Sequence, residues 1–380
     1  MEVKTLISEY LTEVSSLQEQ IQDFLDNEAE DDELENIVKY IQDHKFQDDK
    51  NKLKELLCMI SQIINNFHHS PNFYDKIEQI LKIFTDSFET IFTKSDIINI
   101  FGKSKRILLY FFREKILIPD NTICSYIVDN KKFDYTEYFY PEFKDLYNSD
   151  IQTLISSKTK EQVLNNFEEF DRKRTIGEND FILCRYIQTD SVDEFIQYTQ
   201  MNSVSIQDEI PSSIFETNRF LMKRDVTFLQ YAAFFGSIQI FKYLAFNGAD
   251  LTGSVRIYAV HGKNTELIHY IENVLNSSEE ENKEYLKRSF LPCLFEAIKC
   301  HHDNIAIYFK ENFVEESTFK YDLKHFNFNY LVYDIDDLTN IRNLYNFAIY
   351  DYTYIVYCLL LNFDQRTATE EIKIFSLINL

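Results

Sequence analysis

The densest group of soft metal ligands in the chain is Cys293, Cys300, His301 and His302. Zinc sites take their ligands as closely spaced pairs joined across a turn. Here the spacing instead places Cys300 to His302 in a turn between two helices, so polar turn residues beside buried cysteines are the reading to expect. Gly102-Lys103-Ser104 imitates the end of a phosphate-binding loop. The first glycine of that motif would fall at Ile97, and no strand precedes it. His68-His69 stands before Ser70-Pro71, where an imidazolium complements the C-terminal end of a helix. Neither G-x-S-x-G nor H-E-x-x-H occurs. No catalytic, metal or cofactor residue is assigned, and the expectation is a non-enzymatic protein with no cofactor.

Composition narrows the partners. A net charge of −23 repels phosphate backbones and anionic membrane surfaces and attracts basic protein surfaces. The one compact basic run, Arg172-Lys173-Arg174, is too small to reverse that. Nucleic acid is therefore not expected as a partner. The longest apolar stretch, Tyr354 to Leu361, is too short to cross a bilayer, so membrane insertion is not expected either. Six scattered cysteines without a C-x-x-C pair and an acidic amino terminus point to a reduced, cytoplasmic protein.

The elements that carry these residues are helical. Glycine and proline are scarce, at 6 and 5, which disfavours many-turned β folds. Val3, Ile7, Tyr10, Val14, Leu17, Ile21 and Phe24 are spaced alternately by four and three, a coiled-coil seam. A second row at Leu6, Leu11 and Leu25 widens the face towards that of a bundle helix. Helical stripes recur at Leu53 to Phe67, at Phe73 to Ile91 and at Arg106 to Arg113. Periodicity fails around Tyr135 to Pro141, which predicts an irregular connection.

From Thr227 the character changes. Of ten alanines, nine fall at or after position 232. The segment TFLQYAAFFGSIQIFKYLAFNGADL, residues 227–251, follows the ankyrin pattern at Thr227, Leu229, Ala232, Ala233, Gly236, Leu244, Gly248, Ala249 and Asp250. Phe228 replaces the usual proline and Gln230 the usual histidine. Paired alanines let two antiparallel helices approach, and Gly236 suits a left-handed helix end.

An alanine followed by apolar residues at +1, +8, +9 and +12 recurs at Ala232, Ala259, Ala297 and Ala348. At 45% hydrophobic content this coincidence is expected for about 4% of alanines. The intervals of 27, 38 and 51 residues are irregular, so Ser277 to Glu284 and Phe319 to Asp337 are expected to form fingers or loops. A weaker unit lies at Leu183, Tyr186, Ile187, Phe195 and Tyr198, and a fainter echo at Ile100, Ile107, Leu108 and Phe111.

The runs SIFETNRFL, YAAFFGSIQIFKYL, YAVHGKN and EAIKCHHDNIA, with ILLYFFREKILIPD upstream, resemble a divergent ankyrin-type family of unknown function expanded in parasitic protists. The resemblance covers residues 175 to 362. It implies an ankyrin-like solenoid and protein–protein interaction, and it carries no activity or catalytic residue.

The expected architecture is all-α: an N-terminal helical region at 1–175, then an irregular ankyrin-like repeat solenoid at 176–380. The expected role is a scaffold or adaptor for a protein partner. Phe234 and Phe235 are its candidate anchors if they face the concave surface, and Asp250, Leu251, Thr252 and Ser254 on the following finger are the other candidates. The alternatives are an enzyme without a known motif and a rod that self-associates weakly through the N-terminal heptads.

Overall fold

The computed structural model describes the chain apart from residues 1, 28–30, 69, 71, 131–134, 223–224, 277–282, 333–342 and 362–380. The described residues form helices, with no strand among them beyond one isolated bridge between Glu209 and Thr227. The chain divides into two compact units, residues 1–91 with 290–380, and residues 92–289; neither limit falls at residue 175.

One device recurs through both units. Among the described residues from 182 onward, six helix pairs are closed by a left-handed residue followed by an amide that donates to the carbonyl five residues back, which satisfies a carbonyl at the helix end. Pair one is Ile182–Gln188 with Val192–Met201, pair two Phe228–Phe235 with Ile238–Phe246, and pair three Val255–His261 with Thr265–Asn276. Pair four is Lys283–Lys299 with Asp303–Asn312, pair five Phe319–His325 with Phe328–Leu331, and pair six Leu344–Ile349 with Thr353–Leu361. The left-handed residues are Asp190, Gly236, Lys263, His301, Phe326 and Asp351. The closing bonds run from Ser191 to Tyr186, Ser237 to Ala232, Asn264 to Ala259, His302 to Ala297, Asn327 to Asp322 and Tyr352 to Phe347.

Three of the four alanines singled out by spacing, Ala232, Ala259 and Ala297, are therefore the carbonyls that close the turn, and all three are buried. The fourth register is wrong by one residue. Phe347, fully buried, holds the position given to Ala348, which is half-buried, and the predicted apolar partners Ile349 and Tyr357 are exposed. Phe319 to Asp337 is not simply a finger: residues 319–331 are pair five, with Asp322 in the place that Ala232, Ala259 and Ala297 hold in theirs. Asp322 lies 25 residues after Ala297 and 25 before Phe347, so the irregular interval contains a whole extra pair. Residues 333–337, like most of the finger expected at Ser277 to Glu284, lie outside the described residues. The expected irregular stretch at Tyr135 to Pro141 is instead two one-turn helices, Tyr135–Tyr138 and Tyr140–Phe143. Tyr135, Tyr138, Phe139 and Phe143 are buried there, so aromatic packing organises what periodicity could not.

In the 92–289 unit the first helices of pairs one, two and three lie against one another, and so do the second helices of pairs one and two. Pair one also caps pair two. The second helix of pair two has no side-chain cap of its own. Asp190, in the turn of pair one, accepts from Gln239 N and Ile240 N, both at 3.0 Å, and Ser237 Oγ donates to Ile187 O. A residue from the adjacent turn thus takes the N-cap role.

In the unit of residues 1–91 and 290–380 that role falls to the N-terminal helices. Helix Glu2–Asp26 packs on Asp31–Asp43, Phe73–Lys82 and the second helices of pairs five and six. Its heptad seam from Ile7 to Phe24 is buried inside its own unit. Gln18 donates to Asn327 Oδ1 (3.2 Å) and accepts from Phe328 N (2.9 Å), while Gln22 donates to His301 O (2.9 Å). Glu55, on Lys50–Asn66, accepts from Tyr354 N (2.5 Å), Ile355 N (3.3 Å) and the Tyr10 hydroxyl (2.6 Å).

Candidate functional site

Pair two builds the surface that sequence singled out. Thr227 caps its first helix through a reciprocal box: Thr227 Oγ1 accepts from Gln230 N (3.3 Å), and Thr227 N donates to Gln230 Oε1 (3.0 Å). Gln230, the substitute for the usual histidine, is thus the partner that the cap requires. Leu229, Ala232, Ala233 and Leu244 are buried. Gly236 has φ +71°, and a Cβ there would meet Asn264 Nδ2 at 2.2 Å. Gly248, at φ +89°, turns the chain into the following loop. Gly262 needs no left-handed freedom; a Cβ there would lie 1.8 Å from Phe234 O, so it permits backbone contact between pairs two and three.

Phe234 and Phe235 do not form an exposed aromatic pair. Phe234 is 3% exposed and stacks on His261, with ring centroids 5.1 Å apart and 28° between planes, and on Phe220. Phe235 is half-buried against Tyr231, at 4.7 Å. Asp250, Thr252 and Ser254 are exposed and Leu251 is half-buried. Their loop is tied down: Gln207 Nε2 donates to Gly248 O (2.6 Å), Gln230 Nε2 to Ser254 Oγ (3.2 Å), and the Thr252 and Ser254 hydroxyls lie 2.7 Å apart.

Beside that loop stands a residue the spacing argument passed over. Phe246, at the end of the second helix of pair two, is 91% exposed. Met201, near the corresponding end in pair one, is 77% exposed, and Val274 in pair three 38%. Their signal was available in the sequence. Ile240, Phe241 and Leu244 define the buried stripe of that helix, and Phe246 lies off it.

The same unit holds a second feature, a cavity of about 520 Å³ between helix Phe167–Ile176 and the first helix of pair one. Most charges on its wall are answered. Glu169 grips Arg172 with two bonds of 2.7 and 2.8 Å, and Lys173 meets Asp180 at 2.8 Å. Burial tends to raise Asp180, but the bonds from Lys173 and Ser213 hold its carboxyl below the ordinary value. Arg174 is fully buried against Glu142 (2.8 Å) and Asp171 (2.6 Å), so every member of the basic run 172–174 is engaged within the unit. Glu178 is different: it is half-buried, burial pushes its carboxyl up, and among the described residues it has no hydrogen-bond or ion-pair partner. Glu216 is raised to about 7, by burial first and by the charge of Glu178 after opposing amide bonds. Burial also pushes the nearby Cys184 thiol well up, which keeps it protonated and unreactive.

Gly102 ends helix Lys94–Phe101, and Ser104 caps Lys105–Arg113 through its hydroxyl at Ile107 N (3.4 Å). Cys293, Cys300, His301 and His302 are all buried around the turn of pair four. Burial raises the Cys300 thiol and lowers His301 to about 4, so that imidazole is neutral at physiological pH. His68 pairs with Asp26 at 3.0 Å; His69 lies outside the described residues. No helix among the described residues is long and apolar enough to cross a membrane. No protein-family model, no curated protein and no solved structure matches this chain.

Proposed function

We propose that this chain is a non-enzymatic, ankyrin-like scaffold of the cytoplasm that docks a basic protein surface on pairs one to three. The observation that carries the reading is the row of apolar side chains at successive second-helix ends, Met201, Phe246 and Val274, led by a phenylalanine that is almost wholly exposed. A large aromatic left exposed on a helix end is available as an anchor, and aromatic anchors dominate protein interfaces. Asp208 and Asp250 stand exposed on the two hydrogen-bonded loops beside it, and the net charge of −23 favours a basic partner.

The test replaces Met201 and Phe246 together with serine. Folding should change by less than about 0.5 kcal/mol, as for exposed sites, while capture of the principal partner from the protein's own cells is lost. Phe234→Ser is the contrasting variant and should cost about 3–5 kcal/mol of stability through a core cavity. A Met201/Phe246 double variant that retains its captured partners at full strength refutes the docking ledge.

A further inference from the structure

The cavity beside pair one presents one anion and one cation that nothing in the fold answers. Among the described residues, neither the Glu178 carboxylate nor the Arg185 guanidinium has a side-chain partner, yet both line the same wall. A half-buried carboxylate with Glu216 close by and no ion-pair partner of its own is left unbalanced as it stands. A ligand ammonium or guanidinium would supply the missing charge. Arg185, exposed and unengaged, offers the forked donor geometry that recognises a carboxylate. Ile176 and Ile182 add apolar wall suited to intervening methylenes, and about 520 Å³ lies within the usual range for small-molecule sites.

We infer that this cavity binds a basic zwitterion, with its cationic group on Glu178 and its carboxylate on Arg185. Two sources share that chemistry: a free basic amino acid, and a lysine or arginine at the carboxyl terminus of a peptide. The site is separate from the Phe246 ledge and does not depend on the docking proposal.

The experiment is calorimetric titration of the full chain with L-arginine, with a short peptide ending in arginine, and with that peptide's C-terminal amide. Saturable binding of either carboxylate probe is expected, with the amide at least about tenfold weaker, as for loss of a charged hydrogen bond. Glu178→Gln and Arg185→Met should each weaken binding by a similar factor. Binding of arginine alone identifies the free amino acid as the source, and binding of the peptide acid alone identifies the terminus. Glu178→Gln removes an unanswered charge and should melt no lower than the parent; Arg185→Met is on the surface and tests the idea independently of core packing. Absence of binding for both carboxylate probes up to about 10 mM, or binding undiminished in both variants, overturns the inference.

Discussion

Glu55 offers the sharpest test of the packing described above. Its carboxyl is fully buried and raised from 4.5 to about 8. Burial is the main cause; the bonds from Tyr10 and from the amides of Tyr354 and Ile355 oppose it. In the folded protein the proton is therefore retained over a range where the unfolded chain has lost it. Below pH 4.5 both states are protonated and the stabilisation is whole. Between 4.5 and 8 each pH unit removes up to about 1.4 kcal/mol. Over the full window that is a ceiling of about 5 kcal/mol, and above pH 8 nothing remains. Glu55→Gln reproduces the protonated form: its carbonyl can accept both amides and its NH2 can donate to the Tyr10 oxygen. At pH 5 the variant and the parent should unfold within about 1 kcal/mol of each other. By pH 8.5 the glutamine variant should be more stable by several kcal/mol. Denaturant unfolding of both proteins across this range gives the difference directly, because all other titrating groups cancel. A difference that stays flat from pH 5 to pH 8.5 would refute the claim that Glu55 is held protonated at the cap of pair six.

Gly262→Ala places a methyl against the Phe234 carbonyl, which is backbone and cannot swing aside, so a loss of about 1–3 kcal/mol or more is expected in thermal melting. Asp190→Ala removes the cap on Gln239 N and Ile240 N and should cost about 1–2 kcal/mol, with amide exchange accelerated at the start of Ile238–Phe246; unchanged exchange there would show that the cap is immaterial. Ala232→Leu forces a larger side chain into a fully buried contact and should cost about 1–3 kcal/mol, whereas a melting temperature within error of the parent would show that the helices are not tightly apposed at that point.

Much of the fold was legible because the turn that joins each pair leaves a local signature. Ala232, Ala259 and Ala297 were found by spacing alone, since a small residue at a close helix contact and apolar residues along the next helix recur at fixed offsets. Pairs five and six were less legible. The closing bond needs only a backbone carbonyl, so Asp322 and Phe347 can hold the position without the alanine on which recognition relied. The trans caps could not be read at all: Gln18, Gln22 and Glu55 look like solvent-facing residues of amphipathic helices until their distant partners are known. On the surface, the pattern led to Phe234, where the family resemblance placed a binding face, while burial by His261 and Phe220 removed it from solvent. Phe246 was legible in principle, since it lies off the stripe of Ile240, Phe241 and Leu244, whereas the cavity at Glu178 depends on what lies next to a residue in space, which a single sequence does not specify.

The way helix Glu2–Asp26 is completed has a consequence for biosynthesis. Gln18 meets its partner Asn327 only after some three hundred further residues have been made. At about 5–20 residues per second, the ribosome needs about 15–60 s to deliver that partner. During this interval the apolar face from Ile7 to Leu25 lacks its final cover, while residues 92–289, which form the other compact unit, emerge as one continuous stretch. Nascent chains halted between residues 100 and 320 should therefore bind holdase chaperones through their first helix, and release them once pair six has left the tunnel.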